Sequence, residues 1–147
     1  VTVKVEKAPE AGTELSFLKP SWAGKTAVAL NGKSVESTEK EGFVTVDAAL
    51  KAGDTLQYSF KQEPYWADTH NIHSVEGYQK VYQGPLLLGT MNKNKKEMTL
   101  PKNAKLSWDS EAKEIEIGNV KLAPINDVID NMYERETYQR QVLWKKQ

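Results

Sequence analysis

The sequence predicts an all-β fold, an antiparallel β-sandwich, on three observations. Short blocks alternate apolar with polar residues, turn dipeptides separate those blocks, and the i, i+3, i+4 spacing of a helical face is scarce. Successive side chains of a strand point to opposite faces, so each alternating block reads as a strand with one core face and one wet face. At 147 residues with 39 % hydrophobic side chains, the chain is expected to form one domain over residues 1–147.

In chain order, the first block holds Leu15 and Phe17 ahead of Pro20. The second is Ala27-Val28-Ala29-Leu30, followed at once by Asn31-Gly32, the dipeptide that most readily takes the two positive-φ positions of a tight hairpin turn. Val44 and Val46 form the third block, and a single helical turn is expected over residues 47–50. After Ala52-Gly53-Asp54 comes the clearest alternation: Leu56, Tyr58 and Phe60 inward, Gln57, Ser59 and Lys61 outward.

Residues 62–77 break the pattern with Pro64, two His, an Asn and a Gly, and read as a long surface connection. Val81-Tyr82 and Leu86-Leu87-Leu88 flank Gly84-Pro85, where a bulge or an edge position is expected. The continuous Leu run reads as buried on both faces. Short strands are expected at 97–100, 105–108 and 113–117, with Gly118-Asn119 turning the last into Val120 and Leu122. Residues 127–138 place Val128, Ile129, Met132 and Tyr133 along one helical face, which predicts a short helical or irregular segment before a last strand in 139–144. The expected core comprises Leu15, Phe17, Val28, Leu30, Val44, Val46, Leu56, Tyr58, Leu86 and Leu88.

Twenty Lys and Arg balance twenty Asp and Glu. That removes the long-range attraction a nucleic-acid or anionic-membrane binder needs, and no segment approaches the roughly 20 apolar residues of a membrane span. The absence of Cys excludes disulfides, thiolate nucleophiles and thiolate zinc sites, and leaves the compartment unread. Opening at Val1 with no charged-then-apolar leader, the sequence is expected to be a processed or truncated piece of a longer gene product.

Three constellations carry potential chemistry. His70-Asn71-Ile72-His73 sets two imidazoles three residues apart, with Asp68 and Glu76 as oxygen donors nearby. A zinc helix would want the two His four residues apart with a neighbouring Glu, so a polar surface loop without metal is the expected reading. Tyr65-Trp66, with Trp22, Trp108 and Trp144, offers flat aromatic surface for a sugar ring, and Trp66 in the expected loop is first in line. Paired carboxylates for glycoside hydrolysis must face each other across about 5–10 Å. Many of the acidic residues here, such as Glu39, Glu41, Glu114 and Glu116, lie in exposed alternation with Lys close by. No Gly-x-Ser-x-Gly or Gly-rich phosphate loop occurs, so no catalytic residue and no cofactor is expected.

The blocks and turns together carry a family likeness. The series Leu15-Ser16-Phe17-Leu18-Lys19-Pro20-Ser21-Trp22-Ala23, Ala27 to Val35 with its Asn31-Gly32, Gly42-Phe43-Val44-Thr45-Val46, Ala52-Gly53-Asp54-Thr55-Leu56 and Val81-Tyr82-Gln83-Gly84-Pro85-Leu86-Leu87-Leu88 resembles the C-terminal β-sandwich that follows the (α/α)-barrel in glycoside hydrolase family 127. The likeness covers about residues 13 to 90. It implies a jelly-roll-like, non-catalytic accessory module of a bacterial, secreted or periplasmic carbohydrate-degrading enzyme, packed on the catalytic (α/α)-barrel of the same protein and stabilising it. The family's acid/base Glu and zinc-linked nucleophilic Cys belong to that barrel, and a chain without Cys carries neither over. Three other readings stand beside it. A free-standing carbohydrate-binding module would expose Tyr65, Trp66 and Trp108. A small enzyme would be centred on Asp68, His70 and His73. A purely structural module differs only in its partner. In each case the expected contact region is 62–77, with Tyr65, Trp66, Asp68, His70, Asn71 and His73.

Overall fold

The computed structural model describes residues 1–8, 14–69, 75–92, 96–101, 104–128 and 139–145. Strand is nearly the only regular structure among them, and every strand pairing is antiparallel. No helix of the described residues is long and apolar enough to cross a membrane. The chain divides into two compact units, Val1–Gln62 and Glu63–Gln147.

The first unit is built from two sheets. One runs β1 (Thr2–Lys4), β7 (Thr55–Gln62), β3 (Ala23–Leu30), β4 (Lys33–Val35), and the other β2 (Glu14–Leu18), β6 (Phe43–Asp47), β5 (Thr38–Lys40). Alternation supplies the core: Val28, Leu56 and Tyr58 from the first sheet meet Val44 and Val46 from the second, with Leu15, Phe17 and Leu30 half-buried around them. Phe17 of β2 stacks on Tyr58 of β7, ring centroids 4.9 Å apart and planes 15° apart. The Tyr58 hydroxyl donates to the Leu18 carbonyl at 3.4 Å. A core fed from the inner faces of two sheets is the sandwich the alternation predicts.

Asn31 and Gly32 sit at φ 51° and 79° between paired Leu30 and Lys33, the expected two-residue turn with both central residues at positive φ. The same turn joins β5 to β6 at Glu41-Gly42, which sequence reading passed over because Glu is an unusual occupant of a positive-φ position. The helical turn expected at 47–50 does not form. Residues 48–50 are irregular, and Ala48 and Leu50 pack on the core as a continuation of period two. A single turn would fix several dihedrals for one hydrogen bond, so burial decides instead.

The second unit orders its sheet β11 (Ile115–Ile117), β12 (Val120–Pro124), β10 (Leu86–Asn92), β9 (Tyr78–Gln83), β14 (Trp144–Lys145), with β8 (Pro64–Asp68) also on β9 and β13 (Gln139–Gln141) on β10. Its core is Val81, Leu88, Leu100, Ile115, Ile117, Leu122 and Trp144. Gly84-Pro85 is neither bulge nor edge: Gln83 pairs with Leu86, so the dipeptide is the whole loop of a hairpin. Gly84 takes φ 55° at its first central position, and Pro85, locked at negative φ, fits only the second, the pattern of a type II′ turn. The Leu run is not buried on both faces. Leu88 is fully buried and Leu87, on the opposite face, is half-buried, while Leu86, on the face of Leu88 but next to the turn, is 43 % exposed and does not join the core as expected.

The strands expected at 97–100 and 105–108 are absent, and of 113–117 only Ile115–Ile117 forms one, beside an isolated Asp109–Glu114 bridge. Their alternation is nonetheless real, since Met98, Leu100, Leu106 and Trp108 all pack on the core. An extended segment lying over a sheet buries every second residue without joining a ladder. At Met98 a side chain satisfies the backbone instead. Gln141 Oε1 accepts from the Met98 amide at 2.8 Å while its Nε2 donates to the Met98 carbonyl, and the buried Asn92 amide donates to the Lys96 carbonyl and to Gln141. The last strand expected in 139–144 is present as β13 and β14. The helical segment expected over 127–138 falls from 129 onward outside the described residues.

Candidate functional site

Residues 64–68, expected inside a long loop, form strand β8, with Pro64 as its first residue, where a missing N–H costs no ladder bond. Its register on β9 pairs Tyr65 with Tyr82, Trp66 with Val81, Ala67 with Lys80 and Asp68 with Gln79. Period two then sorts the site residues onto opposite faces. Trp66 goes with fully buried Val81: it packs on the core of the second unit, and its indole Nε1–H donates to the Ala104 carbonyl at 3.4 Å. The exposed platform expected of Trp66 is therefore not what forms; a Trp opposite a core Val on the inner face is an anchor.

The other face carries Tyr65, Tyr82 and Leu87 as one row across β8, β9 and β10. The two phenol rings stack 5.5 Å apart at 13°. Lys80 lies on this face with its ammonium 5.8 Å from the Tyr82 ring centre, within cation–π range. Loss of water around Tyr65 pushes its phenol above the ordinary value, and Tyr82 adds to the shift. Tyr78, two residues before Lys80, is raised by donating its hydroxyl to Glu97. Half-buried rings, phenolic hydroxyls and an ammonium suit the apolar C–H face and hydroxyls of a sugar, or a polar protein surface.

Of the expected site residues, the structure places Tyr65 on this outer face, Trp66 on the inner face and Asp68, exposed, at the end of β8. His70, Asn71 and His73 lie outside the described residues. Among the described residues no group of three or more His, Cys, Asp or Glu could hold a metal. The remaining Trp are committed to packing: Trp144 is 1 % exposed, Trp108 lies against the same core, and Trp22 meets Phe60 edge-on at 5.4 Å. Tyr82 and Lys80 were missed as site residues. Tyr82 was visible only as part of a strand, and its pairing with Tyr65 depends on register.

Among the described residues, the acidic side chains with resolved partners engage cations, amides or hydroxyls. Glu39, expected on a plain solvated face, accepts from Lys19 Nζ at 2.6 Å and from the Thr26 hydroxyl, which together hold its carboxyl below the usual range. Glu114 accepts from Lys121 Nζ at 2.6 Å.

Residues 1–62, the whole of the first unit, match the family model described as "Beta-L-arabinofuranosidase, GH127 middle domain". The fold extends the likeness over the rest. A structure described as a glycoside hydrolase superposes with TM-score 0.68 at 18 % identity, covering 99 % of this chain and 30 % of that one. The chain resembles a GH127 module. A GH127 beta-L-arabinofuranosidase from Geobacillus stearothermophilus gives TM-score 0.69 at 18 % identity, covering 99 % of this chain and 28 % of that one. A GH127 beta-arabinofuranosidase gives 0.52 at 17 % identity, over 90 % and 25 % respectively. No curated protein matches. This GH127-like module thus spans less than a third of the length of the solved proteins it resembles.

Proposed function

We propose that this chain is a non-catalytic accessory module of a bacterial, secreted or periplasmic carbohydrate-degrading enzyme, and that it packs on the (α/α)-barrel catalytic domain of the same protein and stabilises it. The observation that carries this reading is the match of residues 1–62 to a middle domain of GH127 proteins, joined to a fold that accounts for 99 % of this chain but only 28–30 % of two larger glycoside hydrolases. A β-rich module appended to a catalytic domain contributes by covering apolar surface and limiting its local unfolding. The test is hydrolysis: the purified chain, offered aryl-arabinofuranosides and other aryl-glycosides with and without zinc, turns over none of them. Turnover abolished by Asp68→Ala would put a catalytic site in this module and sink the reading.

A second reading, a carbohydrate contact made by this module itself, is favoured by the stacked Tyr65 and Tyr82 beside Lys80. Tyr65→Ala with Tyr82→Ala then weakens retention on polysaccharide gels while the fold persists. Unchanged retention leaves that face as a contact for the barrel.

A further inference from the structure

The turn at Asn31-Gly32 is the one Asn-Gly pair in the sequence, and this pair carries a chemical liability. With no side chain on the following residue, the backbone nitrogen can reach the Asn side-chain carbonyl carbon. Asn31 and Gly32 are both exposed, and a Cβ built on Gly32 would have nothing within 4 Å. Neither burial nor crowding therefore shields the reacting atoms.

The side chain is held from the far side instead. Asn31 Oδ1 accepts from the Thr55 amide at 2.9 Å, and Asn31 Nδ2 donates to Asp54 Oδ1 at 2.8 Å. The Asn31 backbone amide donates to the Thr55 carbonyl at 2.8 Å. Asp54 is itself fixed, since its Oδ2 accepts from the Lys51 amide at 2.7 Å and its backbone carbonyl accepts from Val5 at 2.8 Å.

We propose that Asn31 is a deamidation site kept unmodified by a clamp made of the Asp54 carboxylate and the Thr55 amide. In the reaction the Gly32 backbone nitrogen gives its proton to solvent base and attacks Asn31 Cγ. The new N–Cγ bond closes a cyclic imide, the Cγ–Nδ2 bond breaks, and ammonia leaves with the solvent proton. Water then opens the imide at either carbonyl, giving aspartate or isoaspartate. Ring closure requires the carboxamide to swing off both partners, so the clamp opposes the first step. Once formed, an aspartate at 31 faces the Asp54 carboxylate in place of an amide, and an isoaspartate adds a backbone atom to a two-residue loop. Either product opens the turn.

Folded wild-type chain, Asp54→Leu and Asp54→Asn are incubated at mildly alkaline pH, with folding checked by circular dichroism. Aspartate plus isoaspartate at position 31 is followed by peptide mapping. Asp54→Leu, which removes the acceptor, deamidates about tenfold faster than wild type, the scale set by losing one or two net hydrogen bonds. Asp54→Asn, whose amide oxygen still accepts, stays near wild type. Equal rates in wild type and a folded Asp54→Leu overturn the proposal. Should Asp54→Leu not fold, the comparison is folded wild type against a free peptide of residues 27–36, and equal rates there overturn it as well.

Discussion

Gly89 lies in β10 with the chain at Gln141 and Val142 drawn across it, and Gly89→Ala measures how tightly that crossing is packed. A Cβ there would stand 2.8 Å from Val142 Cγ1, 3.0 Å from the Gln141 carbonyl oxygen and 3.1 Å from Ile125 Cδ1. Carbon atoms in good contact sit about 3.5–4.0 Å apart, so the overlap with Val142 is more than half an ångström. Relief is costly, because the Gln141 carbonyl belongs to β13, which pairs with Thr90 in β10, and the Gln141 side chain holds Met98. Overpacking of this kind destabilises by about 1–3 kcal/mol. For a unit of this size, about 2 kcal/mol lowers Tm by roughly 10–15 °C. Gly118→Ala is the control: φ is 63°, nothing lies within 4 Å, and only backbone strain of about 1–2 kcal/mol is expected. Both are read by thermal melts followed in the far-UV. A Gly89→Ala chain melting within about 2 °C of wild type would mean that residues 141–142 do not sit on β10 as described.

Three further outcomes are expected. Trp66→Ala should destabilise by about 2–3 kcal/mol, less than a fully buried Trp, without altering retention on polysaccharide gels; urea titration with affinity electrophoresis reads both, and a neutral change in stability would return Trp66 to the surface. The carboxyls of Asp54, Asp109 and Glu39 are all held below their ordinary values, by Asn31, by the Ala112 amide and by Lys19 as the leading causes. Depressed folded-state values give stability that is present above the unfolded carboxylate range near pH 4 and lost as pH falls below it, so denaturant midpoints should hold from neutrality to about pH 4 and then drop. A midpoint that rises on acidification would contradict this. Tyr65→Ala and Tyr82→Ala should each cost about 1 kcal/mol and couple in a double-mutant cycle, as stacked pairs do; strict additivity would deny the stack.

Where local chemistry decides the structure, it was legible in the sequence. Asn31-Gly32 allows essentially one tight turn, and the inward residues of β3, β6 and β7 follow from period two alone, so Val28, Val44, Val46, Leu56 and Tyr58 were found from spacing. The failures share a cause, since each depends on what lies across the chain. Alternation at 97–100 and 105–108 records one-sided burial, and whether such a segment joins a ladder is decided by its neighbours. Leu86 shares its face with buried Leu88 yet is exposed beside the turn. The site was half visible. Tyr65 and Trp66 were singled out as aromatics in a loop, but β8 pairs with β9, which sends one outward and the other into the core, and that register also supplies Tyr82 and Lys80.

That this GH127-like module stabilises a catalytic partner is a proposal, and its sharpest check is the melting temperature of the proposed (α/α)-barrel of the same protein, produced without the module and titrated with the purified chain. A chain that binds the folded barrel at a concentration of about 100 Kd adds about 2.7 kcal/mol to its stability. A stabilising module gives a saturable rise in the barrel's Tm while any glycosidase turnover follows the barrel alone. An unchanged Tm at saturating chain, with the barrel equally stable and active without it, would rule out the stabilising role.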